Sequence, residues 1–222
     1  MTATREPLKL KIGVMGGASG RFSSRVLEKA EALGRAIARS GAILVTGACP
    51  GLPLAAARGA KALGGFVVGI SPGLSVEEHR TKYRSPTEAH DVLIFTGSGL
   101  MGREVVNIRS SDIVVFVGGR SGTLGELAIS YDEGKLIGIL EGAGGISDMA
   151  TRILAACRKH TGARVIADTR PERLIDRCLR TYQTLHAARP SCFHEGPARR
   201  AARLGPDAVA ARGASPIALI AR

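Results

Sequence analysis

The stretch DIVVFVGGRSGTLGE, residues 112–126, decides the fold class of this chain. Its first half, residues 113–117, consists of β-branched and aromatic side chains, which is typical of a strand buried on both faces of a parallel sheet. A glycine-rich turn follows, and helical spacing of apolar residues begins at Thr123. Backbone N–H groups at such a turn and at a helix N-terminus attract anions. The stretch therefore predicts a phosphate-binding strand-loop-helix turn.

The rest of the chain alternates short apolar runs with amphipathic segments. Strands are predicted at residues 8–15, 42–46, 66–70, 91–95, 113–117, 136–140 and 163–167, and helices at residues 26–39, 52–63, 102–110, 123–133, 147–160 and 171–185. This alternation predicts an α/β fold, a Rossmann-like three-layer sandwich with a mostly parallel sheet of about seven strands. The polar residues 71–89 are predicted to form a mobile loop over a site.

The length of 222 residues fits one main domain. We assign residues 1–186 to a Rossmann-like nucleotide-binding domain. Residues 187–222 are rich in Ala, Arg, Gly and Pro and poor in large apolar side chains. Because little surface is available there for burial, these residues are predicted to form a mobile basic tail.

Composition restricts the compartment and the partners. The four cysteines form no C-x-x-C pair, so neither disulfides nor a zinc site are expected. No apolar stretch is long enough for a signal peptide or a membrane span, which predicts a cytoplasmic protein without a membrane partner. The net charge of +12 would attract nucleic acid. However, the arginines are scattered without interleaved aromatics, so nucleic acid is not the expected partner.

Glycine clusters follow several predicted strands, at the sheet edge where open parallel sheets bind ligands. The chain has neither the G-x-G-x-x-G nor the G-x-x-x-x-G-K-[ST] motif, which disfavours ordinary NAD and P-loop nucleotide chemistry. Some of these glycines could serve only tight connections and close helix packing. The candidate phosphate- or nucleotide-binding residues are Gly17, Ser19, Gly47, Gly118, Gly119, Arg120, Ser121, Gly122 and Thr123.

Glu126 is the candidate catalytic carboxylate, because it follows the glycine turn within one helical turn of Thr123. The alternative is a capping box, in which Thr123 and Glu126 only satisfy backbone N–H groups at the helix start. Arg103 could likewise be a surface arginine paired with Glu104 or Asp112.

Residues 112–126 resemble the P-G-G-x-G-T-x-x-E signature of the LONELY GUY family, and Arg103 stands 23 residues before Glu126, as the family pattern requires. The resemblance implies cleavage of the N-glycosidic bond of a nucleoside 5′-monophosphate, with Arg103 and Glu126 as catalytic residues. It also implies a homodimer and no cofactor or metal. Two departures alter the pocket. Gly118, Gly119 and Arg120 align with the family's Pro-Gly-Gly, and Glu104 replaces the Lys that follows the catalytic Arg.

Three hypotheses follow for function. The leading one is a nucleoside monophosphate hydrolase. The second is a non-catalytic carrier or sensor of a phosphorylated nucleotide or of molybdenum cofactor, since a related branch resembles molybdenum-cofactor carrier proteins. The third is single-stranded DNA binding, because DNA-processing proteins of the DprA type have a similar core.

Overall fold

The computed structural model describes residues 8–186, so the predicted tail at 187–222 lies outside the described residues. Seven strands form the sheet: β1 Lys11–Gly16, β2 Ile43–Thr46, β3 Val67–Ser71, β4 Val92–Phe95, β5 Ile113–Val117, β6 Leu136–Leu140 and β7 Arg164–Asp168. Seven α-helices connect and cover them: α1 Ser24–Arg39, α2 Leu52–Lys61, α3 Val76–Thr81, α4 Gly99–Arg109, α5 Ser121–Asp132, α6 Gly145–Cys157 and α7 Pro171–Thr181.

The seven strands pair in parallel in the order β4-β3-β2-β1-β5-β6-β7. The predicted fold class, a Rossmann-like α/β sandwich, is confirmed. The chain builds outward from β1 in one direction as far as β4, and then crosses to the other side of β1 with β5. The strand order thus reverses between β1 and β5, and ligands of open α/β sheets bind at the carboxyl ends of the strands at such a point.

Both faces of the sheet are covered by helices. In β5, Ile113, Val115 and Val117 belong to the core shared with α1, α2 and α7. The alternate residues Val114 and Phe116 belong to the core shared with α4, α5 and α6. All five side chains are fully buried, which explains why the strand has no polar face. Among the described residues, no helix has both the length and the apolar character needed to cross a membrane.

Residues 71–89 differ from the predicted loop, because they contain helix α3 and a buried histidine. His79 is 0% exposed. One ring nitrogen, Nδ1, lies 2.9 Å from Ser71 Oγ, and the other, Nε2, lies 2.9 Å from the Pro86 carbonyl oxygen. The first hydrogen bond ties α3 to the end of β3, and the second ties it to the loop at Pro86. It therefore packs as part of the domain and does not line the cavity described below.

Candidate functional site

A cavity of about 230 Å³ opens at the carboxyl ends of β1 and β5. Its walls come from the turns after β1, β2 and β5 and from one face of α4. Most of the residues predicted from the sequence line this cavity together: Gly17, Ser19, Gly47, Arg103, Arg120, Ser121, Gly122, Thr123 and Glu126. The structure therefore brings residues that are far apart in the chain to the point where the strand order reverses.

Gly118 and Gly119 are not among the lining residues and instead anchor the turn. The Gly118 N–H donates to Ser147 Oγ at 2.9 Å, and its carbonyl oxygen accepts from the Ser147 N–H at 3.0 Å. Gly119 has a positive φ of 98°, and a Cβ there would lie 2.3 Å from Thr123 Oγ1. A side chain at position 119 would therefore displace Thr123. The Gly118 N–H already has an acceptor, so it is not free to hold an anion.

Helix α5 points its N-terminus at the cavity. It begins at Ser121, two residues before the predicted start, and its N-cap residue Arg120 makes no side-chain capping hydrogen bond. The capping box is therefore not formed, since Thr123 is already the third residue of the helix. The first intrahelical bond runs from the Leu124 N–H to the Arg120 carbonyl oxygen at 2.9 Å. The N–H groups of Ser121, Gly122 and Thr123 precede that bond and lack intrahelical acceptors, an arrangement that favours an anion.

Arg103 is a buried cation on α4, with 8% of its surface exposed. Its guanidinium lies directly over Gly47, where a Cβ would come within 1.4 Å of Nη1. Its Nε atom has no hydrogen-bond partner among residues 8–186. The alternative of a surface ion pair is wrong, because Arg103 is buried and Asp112 pairs with Lys11 at 2.7 Å. A buried guanidinium with an unused donor is suited to binding an anionic ligand.

Glu126 is the second buried charged group of the cavity, with 7% of its surface exposed. Burial raises the pKa of its carboxyl from 4.5 to about 7, although Arg103 lowers it and Glu104 raises it further. A carboxyl that titrates near neutral pH can both accept and return a proton during a reaction. A raised pKa of this kind makes Glu126 a candidate for a general acid-base group.

Arg120 and Ser19 connect the two turns across the point of strand-order reversal. The Arg120 guanidinium donates a hydrogen bond to Ser19 Oγ, and both residues line the cavity. Ser19 is not a helix cap, because Ser23 is the N-cap residue of α1. The exposed Arg120 side chain thus lies at the mouth of the cavity, where it can reach a bound anion.

Two further lining residues, Glu104 and Cys49, were not among the predicted site residues. The signal for Glu104 was its position next to Arg103, where the LONELY GUY pattern has Lys. Burial raises the pKa of the Cys49 thiol, and Arg103 opposes that effect. Within the described part of the chain, Cys49, Cys157 and Cys178 are free and no cluster of His, Cys, Asp and Glu is arranged to hold a metal ion.

Residues 9–175 match the model of the SLOG cluster4 family. The chain belongs to the SLOG cluster4 family. An uncharacterized protein of Archaeoglobus fulgidus is 35% identical over 132 residues, which cover 60% of this chain and 80% of that relative. The narrower assignment to the LONELY GUY family stays a prediction.

Solved structures of two molybdenum-cofactor proteins resemble this SLOG protein over their full length. The molybdenum cofactor binding protein of Rippkaea orientalis is 28% identical, with a TM-score of 0.66, and the match covers 81% of this chain and 100% of that one. The molybdenum cofactor carrier protein of Chlamydomonas reinhardtii is 28% identical, with a TM-score of 0.62, and the match covers 78% and 99% of the two chains.

DNA processing protein A of Helicobacter pylori, which binds single-stranded DNA, has the same core fold. It is 16% identical, with a TM-score of 0.54, and the match covers 78% of this chain and 81% of that one. At this identity the likeness shows the fold alone. The expectation that nucleic acid is not a partner gains no support from these relatives.

Proposed function

We propose that this protein binds a nucleoside 5′-monophosphate, or a similar phosphorylated small molecule, in the cavity between β1 and β5 and hydrolyses its N-glycosidic bond. One observation carries the proposal: Arg103 and Glu126, both buried, share a cavity with the free N–H groups of α5. A cation, a helix N-terminus and a carboxyl that titrates near neutral pH are the groups that binding a phosphate and breaking a glycosidic bond require.

The anion-binding groups divide between the mouth and the interior of the cavity. The N–H groups of Ser121, Gly122 and Thr123 hold the phosphate at the N-terminus of α5. Arg120 adds a charge-assisted hydrogen bond from the mouth. Arg103, which lies over Gly47 in the interior, binds the phosphate or offsets negative charge on the departing base.

The reaction is a substitution at the C1′ carbon of the ribose. The C1′–N bond breaks with its electron pair moving to the base, which takes up a proton, and the oxygen of a water molecule bonds to C1′. The ionised Glu126 carboxylate accepts the proton of that water or stabilises the positive charge that develops on the sugar ring, as carboxylates do in glycoside hydrolysis. The products are a free base and ribose 5-phosphate.

The test is to incubate the purified protein with AMP and with GMP and to follow the free base by chromatography. We expect sustained base release that falls at least about a hundredfold in Glu126→Gln, because acid-base groups contribute on that order. The matched control is Glu28→Gln on the exposed surface of α1, which should keep the activity of the unmodified protein.

The second candidate is a carrier that binds a phosphorylated ligand without turnover. The likeness to the molybdenum cofactor carrier protein of Chlamydomonas reinhardtii over nearly its whole chain supports this alternative. Tight retention of the nucleotide, or of a co-purified phosphorylated pterin identified by mass spectrometry, without product would reject hydrolysis in favour of the carrier.

Single-stranded DNA binding is the third candidate, supported by the net charge of +12 and by the core fold shared with DNA processing protein A. Affinity for an oligonucleotide should then fall steeply as salt rises, since binding to phosphates releases counterions. An affinity that is independent of salt would reject this candidate.

We also propose a homodimer formed through β4 and α4. Ile94 on the edge strand β4 is 46% exposed, and Met101 on α4 is 73% exposed. Exposed large apolar side chains mark an interaction surface where they form one patch. Light scattering should give twice the monomer mass for the unmodified protein and the monomer mass for Met101→Asp. A monomeric unmodified protein would reject the dimer.

A further inference from the structure

Glu104 is a buried carboxylate of the cavity to which the proposed reaction gives no role. It lies on α4 with 6% of its surface exposed, and its side chain lines the cavity. Its Oε2 atom has no hydrogen-bond partner among residues 8–186. Burying a charged oxygen without a partner is costly, so a ligand that donates a hydrogen bond to Oε2 would stabilise the ionised carboxylate.

Two glycines of α5 make the space for this carboxylate. A Cβ at Gly122 would lie 3.3 Å from Glu104 Oε1, and a Cβ at Gly125 would lie 3.0 Å from Oε2. The Glu104 carboxyl therefore packs against the backbone of the first turns of α5, where neither glycine has a side chain. Arg103, its neighbour in sequence, lies over Gly47 instead. Burial raises the pKa of the Glu104 carboxyl, and Arg103 opposes this shift.

Leu100 lines the same cavity one helical turn before Glu104. The two residues are separated by four positions on α4, so they lie on the same face of the helix. Leu100 is 56% exposed and offers an apolar surface, whereas Glu104 offers acceptor oxygens. A flat heterocycle can contact such an apolar surface with its ring face while its edge meets the carboxylate.

We propose that Glu104 selects ligands whose base carries two adjacent N–H donors, as guanine and pterins do in their 2-amino-4-oxo ring. The inference rests on the proposed binding of a phosphorylated ligand in this cavity. An ionised carboxylate has two acceptor oxygens and no donor, so it matches the N1–H and 2-amino groups of guanine in a bidentate pair. At the corresponding edge, adenine has a 6-amino donor beside the N1 acceptor. One carboxylate oxygen would then face the lone pair of N1 and could not form a hydrogen bond.

The test compares the dissociation constants of GMP, IMP and AMP by calorimetry at about pH 8, because an alkaline pH favours the ionised carboxylate against the rise in pKa that burial of Glu104 causes. We expect GMP to bind at least about tenfold more tightly than AMP, the discrimination typical of a bidentate contact to a base edge. IMP keeps the N1–H but lacks the 2-amino group, so its affinity should fall between the two. The IMP comparison needs no variant and is therefore independent of any folding defect.

Glu104→Gln replaces one acceptor by a donor at nearly constant volume and should remove or reverse the preference for GMP. The matched control Glu28→Gln should keep it. Affinities of GMP and AMP within about twofold of each other, or an unchanged preference in Glu104→Gln, would overturn the role of Glu104 and leave the phosphate site standing. If GMP and AMP bound no better than their nucleosides, the proposed function itself would fail.

Discussion

The guanidinium of Arg103 occupies the space that a side chain at Gly47 would need, since a Cβ at Gly47 would lie 1.4 Å from Nη1 and 2.6 Å from Cζ. The turn after β2 thus determines where a side chain of α4 can lie. This relationship places the buried cation in the cavity between β1 and β5 and connects two elements that do not adjoin in sequence.

Gly47→Ala should therefore displace Arg103 and weaken ligand binding. We expect the affinity for a nucleoside monophosphate to fall about tenfold or more, which corresponds to the loss of one charge-assisted hydrogen bond. Calorimetric titration measures the change. The control is a double-mutant cycle: in an Arg103→Ala background, Gly47→Ala should add little. Equal effects in both backgrounds would show that Gly47 does not act through Arg103.

The pH dependence of stability should report the protonation of Glu126. Because the pKa of Glu126 is about 7 in the folded protein and 4.5 for an ordinary glutamate carboxyl, the folded state keeps a proton that the unfolded state has lost between those two values. Stability therefore falls as pH rises through this window and then levels off above about 7. The fall due to this group is roughly 3 kcal/mol, at 1.4 kcal/mol per pKa unit.

Urea unfolding at about pH 5 and about pH 8 tests this expectation. Between about pH 5 and about pH 8, the free energy of unfolding should decrease less in Glu126→Gln than in the unmodified protein, because Gln does not titrate. The same pH dependence in both proteins would contradict a raised pKa at Glu126.

Arg120→Ala should weaken the binding of phosphorylated ligands selectively. The Arg120 guanidinium bonds to Ser19 at the cavity mouth, so we expect about a tenfold loss for a nucleoside monophosphate and little change for the nucleoside. Arg21→Ala, an exposed arginine outside the lining, is the control. A loss of equal size with both ligands would argue that Arg120 does not contact the phosphate.

Asp168→Asn should destabilise the end of the sheet without affecting the site. Burial acts to raise the pKa of Asp168, but hydrogen bonds from Arg173, the Arg170 N–H and Arg177 outweigh it and lower the pKa to about 2. Loss of the charge should cost about 1.5–3 kcal/mol, the range for hydrogen bonds to charged groups. Urea unfolding checks this, with the exposed Asp176→Asn on α7 as the control.

The fold could be predicted from the sequence because its central elements are determined locally. Residues 113–117 are buried on both faces, so their apolar run alone identified β5. Helix α3 was missed because it is short and polar. Its position depends on His79 bonding to Ser71 and to the Pro86 carbonyl oxygen, and such tertiary contacts have no periodic signal.

The site could be predicted only in part. Glycine turns at strand ends identified most of the cavity lining, because parallel strands bring their carboxyl ends to one edge of the sheet. The functions of single glycines could not be predicted. Gly118 is bonded to Ser147 on α6, and the space around Glu104 depends on Gly125 of the neighbouring helix. Both contacts join residues of different elements, so a local sequence pattern cannot predict them.

The central claim is that the cavity between β1 and β5 binds a phosphorylated ligand through Arg103 and the N-terminus of α5. Calorimetric titration of GMP, compared with guanosine, into the unmodified protein and into Arg103→Ala tests it most directly. We predict that GMP binds at least about tenfold more tightly than guanosine and that Arg103→Ala removes most of this difference. Equal affinities for the two ligands, or an undiminished difference in Arg103→Ala, would contradict the claim.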